Sequence, residues 1–213
     1  MPPDMKHILF DLDGTLTDAG EGIINCAALA LRTLGLEVPP RDAMRVFVGP
    51  PLRQTFQEFG VKSEDVERAI EIYRSRYVPK GMFENTPYPG IHALLAALKE
   101  AGHRLYVATS KPESMAIAIL EKYGLAPYFD RICGATMDSS RDSKEKVIGY
   151  LLEQTNAKDS IMVGDTAFDV LGAAAHGIST IGVTWGYGTA EELTRSGAKC
   201  LANSPTQLLN ILL

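Results

Sequence analysis

Cysteine is scarce in this chain: Cys26, Cys133 and Cys200 are odd in number and far apart along 213 residues. None has Cys-x-x-Cys spacing, which argues against a disulfide framework or a cysteine zinc site and for a reducing compartment. Basic residues are also in deficit, 21 Lys and Arg against 26 Asp and Glu, for a formal charge of −5. Nucleic-acid polymers call for basic patches, so they are not the expected partner. An anionic small molecule is not excluded, because a local metal ion and a lysine can reverse the field inside one cleft. No run reaches the roughly 20 apolar residues that span a bilayer, so no membrane partner is expected. Nothing in the sequence reads as a signal peptide, and the expected location is the cytoplasm. The hydrophobic fraction, 46%, is enough for one good core and a small second domain. Oligomeric state has no signature in the sequence.

The chain is organised around His7-Ile8-Leu9-Phe10-Asp11-Leu12-Asp13-Gly14-Thr15. Ile8, Leu9 and Phe10 follow one another without alternation, as in a strand buried on both faces. Asp11 then stands at the carboxyl end of that strand, where open α/β sheets place their ligands. Gly14 permits a tight turn and close approach of the backbone to a ligand. Two carboxylates in such a place are poor structural choices unless a cation neutralises them.

Beyond Thr15 the period changes. Ile23, Ile24, Ala27, Ala28, Leu31 and Leu34 fall three or four apart, predicting a helix over 21–34 with Gly35 as its stop. Short helical pieces are expected over 41–47 and 52–59, and a longer helix to Tyr77 with Ser63 as N-cap. Residues 17–82 thus read as a helical module without strand signal. After a connection rich in Pro and Gly, strands and helices alternate. Strands are expected at 104–109, 129–133, 160–163, 179–184 and 198–201, with helices between them and a closing helix over 207–212. That order predicts an α/β fold with a Rossmann-like parallel sheet. The expected division is a core of residues 1–16 and 83–213, interrupted by a helical cap, 17–82, able to close over the strand ends and exclude water.

Three further stretches carry chemistry. Leu105 to Ala108 is an apolar run ending in Thr109-Ser110-Lys111, where Thr109 taken alone reads as a turn residue satisfying its own backbone. Asp142-Ser143-Lys144 opens a helix whose positive end would add to the lysine charge, with Lys146 and Lys111 as competitors. Ile161-Met162-Val163-Gly164-Asp165-Thr166-Ala167-Phe168-Asp169 repeats the strand, glycine and acid pattern. His7, His92, His103 and His176 lack partners at ligand spacing and read as structural.

Together these stretches resemble the haloacid dehalogenase superfamily, and the proline-rich connections resemble its phosphoglycolate phosphatase-like branch, which also includes 5′-nucleotidases and pyrophosphatases. The resemblance implies a magnesium-dependent phosphatase acting on a small phosphorylated metabolite. By it, Asp11 is the nucleophile that becomes an aspartyl-phosphate, and Asp13 the general acid/base. Thr109 and Ser110 hold the phosphate, although Ser110 stands where relatives often carry Asn. Lys144 tethers the nucleophile and phosphate oxygens. Mg²⁺ is held by Asp11 and Asp165, by the backbone carbonyl of Asp13, and directly or through water by Asp169, which could instead orient Lys144. In the cap, Arg45 and Arg53 flank a rigid loop suited to a second anionic group. Phe47, Phe56 and Tyr73 could stack a base or simply form the cap core. A phosphomutase of the same architecture and a receiver-type signalling module remain as alternatives. A dehalogenase would need neither Asp13 nor magnesium.

Overall fold

The computed structural model describes residues 6–138, 140–155, 157 and 159–213. The chain divides into two compact units, one made of residues 1–17 and 87–213 and the other of residues 18–86. Residues 83–86, expected in the core, therefore belong to the inserted unit.

The first unit is built on a sheet that, among the described residues, has six parallel strands. These are β1 (His7–Phe10), β4 (Arg104–Pro112), β5 (Arg131–Ala135), β6 (Ser160–Gly164), β7 (Ser179–Val183) and β8 (Cys200–Ala202). Two short strands, β2 (Thr17–Asp18) and β3 (Thr86–Pro87), pair where the chain passes from one unit to the other. The strand order β5-β4-β1-β6-β7-β8 puts β1 in the middle. From β1 the chain builds outward through β4 and β5, then returns to the other side for β6, β7 and β8. The reversal between β1 and β6 is the topological switch point at which doubly wound sheets bind ligands. In register, Phe10 faces Val107 on one side and Val163 on the other.

Helices α4 (Ile91–Glu100), α5 (Glu113–Lys122), α6 (Lys144–Thr155), α7 (Ala167–Ala174), α8 (Ala190–Arg195) and α9 (Pro205–Leu212) belong to this unit. Leu9, Tyr106, Ala108 and Met162 pack with Val147, Ile148 and Leu151 of α6 and Ala173 of α7. Ile8 and Phe10 point to the opposite face, yet are equally sealed from solvent. That two-sided burial is why the β1 run shows no alternation.

The inserted unit contains α1 (Gly20–Thr33), α2 (Leu52–Glu58) and α3 (Val66–Tyr77). Phe47, Phe56 and Tyr73 are buried within it, with ring centroids 5.2 Å apart for Phe47 and Phe56 and 6.4 Å for Phe56 and Tyr73. They are core, which removes the base-stacking alternative for these three rings.

Several local expectations need correction. Thr17–Asp18 is a short strand where the helical module was expected to begin. Ser63 opens a 3₁₀ turn instead of capping α3, and its hydroxyl accepts from Gln57. β4 runs on to Pro112, and β5 begins at Arg131 rather than Phe129, because a 3₁₀ turn at Ala126–Tyr128 precedes it. No helix among the described residues is long and apolar enough to cross a membrane.

Candidate active site

The end of β1 carries Asp11 into the sheet's centre, where its amide donates to the carbonyl of Val163 at 2.9 Å. Gly14 then turns the chain with φ +90°, and a Cβ there would lie 2.1 Å from Oδ2 of Asp165. Only glycine fits both demands. Next to it, Thr15 donates its hydroxyl to Oδ1 of Asp165 at 3.0 Å.

Because β6 is the neighbour of β1, Asp165 emerges beside Asp11, and the first turn of α7 delivers Asp169. Each of these three acids is buried, and ligand atoms from all three lie within 4.8 Å of one another. Asp169 is fixed at the start of α7 by the backbone amide and hydroxyl of Thr166, which donate to its Oδ2 at 3.0 and 2.9 Å. Its other oxygen lies 2.8 Å from Nζ of Lys144.

Lys144 is the first residue of α6, and its side chain is only 4% exposed. Nζ lies 2.6 Å from Oδ1 of Asp11 and donates to the carbonyl of Ala108 at 3.0 Å. Lys146 instead pairs with Asp142 on the surface, so of these two lysines Lys144 is the one paired with Asp11 and Asp169. Lys111 reaches a different acid, with Nζ 2.5 Å from Oδ2 of Asp13. The Asp13 carboxylate is not part of the three-acid cluster. Thr109 is buried, and its hydroxyl oxygen accepts from the amide of Lys111 at 3.2 Å, closing a local turn. Ser110 is half-buried beside it.

The electrostatics follow from crowding. Burial pushes the carboxyl of Asp11 up to about 6, opposed by Lys144 and reinforced by Asp169. Burial, then the charges of Asp169 and Asp11, raise Asp165 well above the usual carboxylate range. Burial opposes the charge on Lys144, but Asp11 and Asp169 outweigh it and hold the ammonium more firmly protonated than an ordinary lysine. Three buried carboxylates face one ammonium. The surplus of two negative charges matches one divalent cation, and an oxygen-only donor set suits a hard one.

Sequence reasoning places Trp185, Gly186, Tyr187 and Gly188, after the last long strand, at the rim of the site, without their contacts to the acids. The amide of Tyr187 donates to Oδ2 of Asp165 at 2.8 Å, and the indole of Trp185 donates to the carbonyl of Thr15 at 3.1 Å. Arg45 and Arg53 belong to the inserted unit. Arg45 is exposed, and Arg53 already has a carboxylate partner in Glu67 on that unit's surface.

Comparison with known proteins agrees with this geometry. A family model for haloacid dehalogenase-like hydrolases matches residues 8–183. The chain is 42% identical to the tyrosine-protein kinase PtkA of Mycobacterium tuberculosis, over 93% of this chain and 69% of that protein. It is also 42% identical to a 5′-nucleotidase of Pseudomonas aeruginosa, over 88% and 86% of the two chains. A phosphoglycolate phosphatase of Vibrio parahaemolyticus is 30% identical, over 98% and 96%. A solved structure described as a predicted phosphatase from Clostridium acetobutylicum superposes with TM-score 0.93 at 43% identity, covering 98% of each chain. This protein belongs to the haloacid dehalogenase-like hydrolase family and is a hydrolase acting on phosphate esters.

Proposed function

We propose that the chain is a magnesium-dependent phosphomonoesterase working through an aspartyl-phosphate at Asp11, with a small phosphorylated metabolite as substrate. The observation that carries this reading is the buried cluster of Asp11, Asp165 and Asp169 closed by Lys144. Asp11, Asp165 and the carbonyl of Asp13 would hold Mg²⁺. Both oxygens of Asp169 are engaged by Thr166 and Lys144, which favours a water-linked or lysine-orienting role for that residue. When bound, the cation supplies charge neutralisation for the phosphoryl oxygens.

The chain's own residues do the rest. Asp11 attacks phosphorus, dividing one difficult displacement into two easier ones. Asp13 gives a proton to the leaving oxygen and later takes one from the attacking water. Lys144 keeps the nucleophile oriented and balances charge on the transferring group. Thr109 and Ser110 offer hydroxyl and amide donors at the tip of β4. The unit of residues 18–86, inserted in the chain between Thr17 and Pro87, is the element that would select the substrate.

Among small metabolites, nucleoside 5′-monophosphates come first, supported by the 42% identity to a 5′-nucleotidase, with phosphoglycolate next and pyrophosphate after it. The similarity to PtkA favours a second reading, transfer from ATP to a tyrosine hydroxyl. The test is kcat/KM with Mg²⁺ across nucleoside monophosphates, phosphoglycolate, sugar phosphates and pyrophosphate, with ATP plus a tyrosine peptide as a separate arm. Release of inorganic phosphate from a monoester, abolished by Asp11→Asn in a folded protein, is the expected result. Turnover at wild-type rates by that variant would remove Asp11 from the mechanism. Phosphate returned to product instead of released would mark a mutase.

A further inference from the structure

Lys111 is a buried ammonium that the mechanism above leaves unused. Its placement is the work of the β4 tip. Ala108 pairs with Cys133 and Pro112 with Ala135, so four steps along β4 cover two along β5. The intervening residues 109–111 bulge, and a bulge re-aims side chains near a site. Two contacts fix its shape. The hydroxyl oxygen of Thr109 accepts from the amide of Lys111 at 3.2 Å. Gly134 on β5 leaves room for the bulged backbone, since a Cβ there would lie 2.5 Å from the carbonyl oxygen of Lys111. The result brings Nζ of Lys111 within 2.5 Å of Oδ2 of Asp13, with the lysine side chain 4% exposed and the aspartate 14%. Oδ1 of Asp13 is buried and has no hydrogen-bond partner among the described residues.

A buried polar atom left without a partner calls for an explanation. Here the two oxygens of one carboxylate differ: Oδ2 is the one nearest the ammonium, and Oδ1 makes no hydrogen bond among the described residues. We propose that Lys111 is the positioning residue of Asp13, holding Oδ2 so that Oδ1 is the oxygen that exchanges protons with substrate and water. The inference rests on the assignment of Asp13 as general acid/base. In the first step a bond forms between Asp11 and phosphorus while the bond from phosphorus to the leaving oxygen breaks. The proton on Oδ1 goes to that oxygen. In the second step water attacks phosphorus, its proton returns to Oδ1, and the bond from phosphorus to Asp11 breaks to release inorganic phosphate. Lys111 keeps its own proton throughout.

The test compares phenyl phosphate with p-nitrophenyl phosphate, which match in shape but differ in how much the leaving oxygen needs a proton. kcat/KM reports only the first step, so the later proton uptake does not enter. Lys111→Met should lower kcat/KM on phenyl phosphate about tenfold more than on p-nitrophenyl phosphate, as part of a general-acid contribution of about 10²-fold or more. Asp13→Asn should show the same bias, and the double variant no larger bias than Asp13→Asn alone. The ratio of the two substrates is unaffected by the fraction of folded enzyme. If Lys111→Met does not fold, Lys111→Gln, which keeps a donor of shorter reach, should shift the ratio in the same direction. A bias in Asp13→Asn with equal losses on both substrates in the Lys111 variant overturns the positioning role and leaves Asp13 as the acid. No bias in Asp13→Asn overturns the assignment of Asp13, and the role of Lys111 with it.

Discussion

Gly186 and Asp165 are in contact with no space between them for a side chain: a Cβ on Gly186 would lie 2.3 Å from Oδ2 of Asp165 and 2.4 Å from the carbonyl oxygen of Gly14. The neighbouring amide of Tyr187 donates to the same oxygen. The loop after β7 thus sets the orientation of Asp165 while contributing no side chain to the cluster.

Gly186→Ala should therefore disturb the cation site more than the fold. The methyl has to displace either the Asp165 carboxylate or the Gly14 backbone, and groups that orient ligands typically affect metal affinity by about 10–100-fold. The Mg²⁺ concentration giving half-maximal activity should rise within that range, with the far-ultraviolet spectrum unchanged. An unaltered Mg²⁺ dependence would show that the loop does not act on Asp165.

Lys144→Met separates charge balance from catalysis. Removing the ammonium leaves Asp11, Asp165 and Asp169 without their countercharge, so a divalent cation should bind at least as tightly as in the wild type. Turnover should nevertheless fall by about 10²–10³-fold, the usual loss when one preorganised donor to a developing negative charge is removed. Calorimetric Mg²⁺ titration and kcat together check both halves. Weaker Mg²⁺ binding would mean that Lys144 builds the cluster and does not merely offset it.

How much of this was legible in the sequence differs from residue to residue. Asp11 and Asp165 each stand at the end of an apolar strand, and parallel strands deliver their carboxyl ends to one edge, so their meeting follows from the strand order. Lys144 is less legible, because a lysine opening a helix is ordinarily solvated; its burial against Asp11 and Asp169 distinguishes it from Lys146. The pairing of Lys111 with Asp13 was illegible because it depends on a bulge, a feature of register that no local period records. Gly186 and Tyr187 act through an absent side chain and a backbone amide, which the sequence cannot display. The β2–β3 ribbon was missed because strands of two residues carry no alternation to detect.

Within the inserted unit, the residue whose loss should cost most stability at the surface–core boundary is Glu84. Arg76 meets it with both terminal nitrogens, at 2.9 and 2.8 Å, and the pair is mostly enclosed. Asn25 of α1 adds a third donor to the carboxylate at 3.3 Å. Glu84→Gln should destabilise the protein by about 2 kcal/mol, the range for hydrogen bonds to charged groups, read as a lower urea midpoint. The Arg76 bond chiefly holds the Glu84 carboxyl below its ordinary value of 4.5. Its contribution is therefore present above that value and lost only as pH falls through the depressed one, so the difference between variant and wild type should be constant above about pH 5. A variant equal to wild type at neutral pH would mean that water replaces the pair without loss.

The acid cluster should give the metal-free enzyme the opposite pH dependence. Asp11 has an ordinary value of 3.8 and is raised to about 6 in the folded chain, mainly by burial. A raised carboxyl binds its proton more tightly when folded, so its stabilising contribution is complete below 3.8 and disappears as pH rises through about 6. Asp165 is shifted in the same direction, and burial is again the largest cause. The chelated protein should therefore melt at a lower temperature at about pH 7 than at about pH 5, a window in which ordinary surface carboxylates are ionised in both states. Mg²⁺ should reverse the trend, because it binds the deprotonated ligands and stabilises only the folded form. Its effect on the melting temperature should be larger at the higher pH. Asp11→Asn should flatten the slope of the chelated protein and weaken the response to Mg²⁺. A slope of the chelated protein over this window left unchanged by Asp11→Asn would show that Asp11 sits in no crowded, water-poor site, since buried His103, held below its ordinary value, acts in the opposite direction in both proteins.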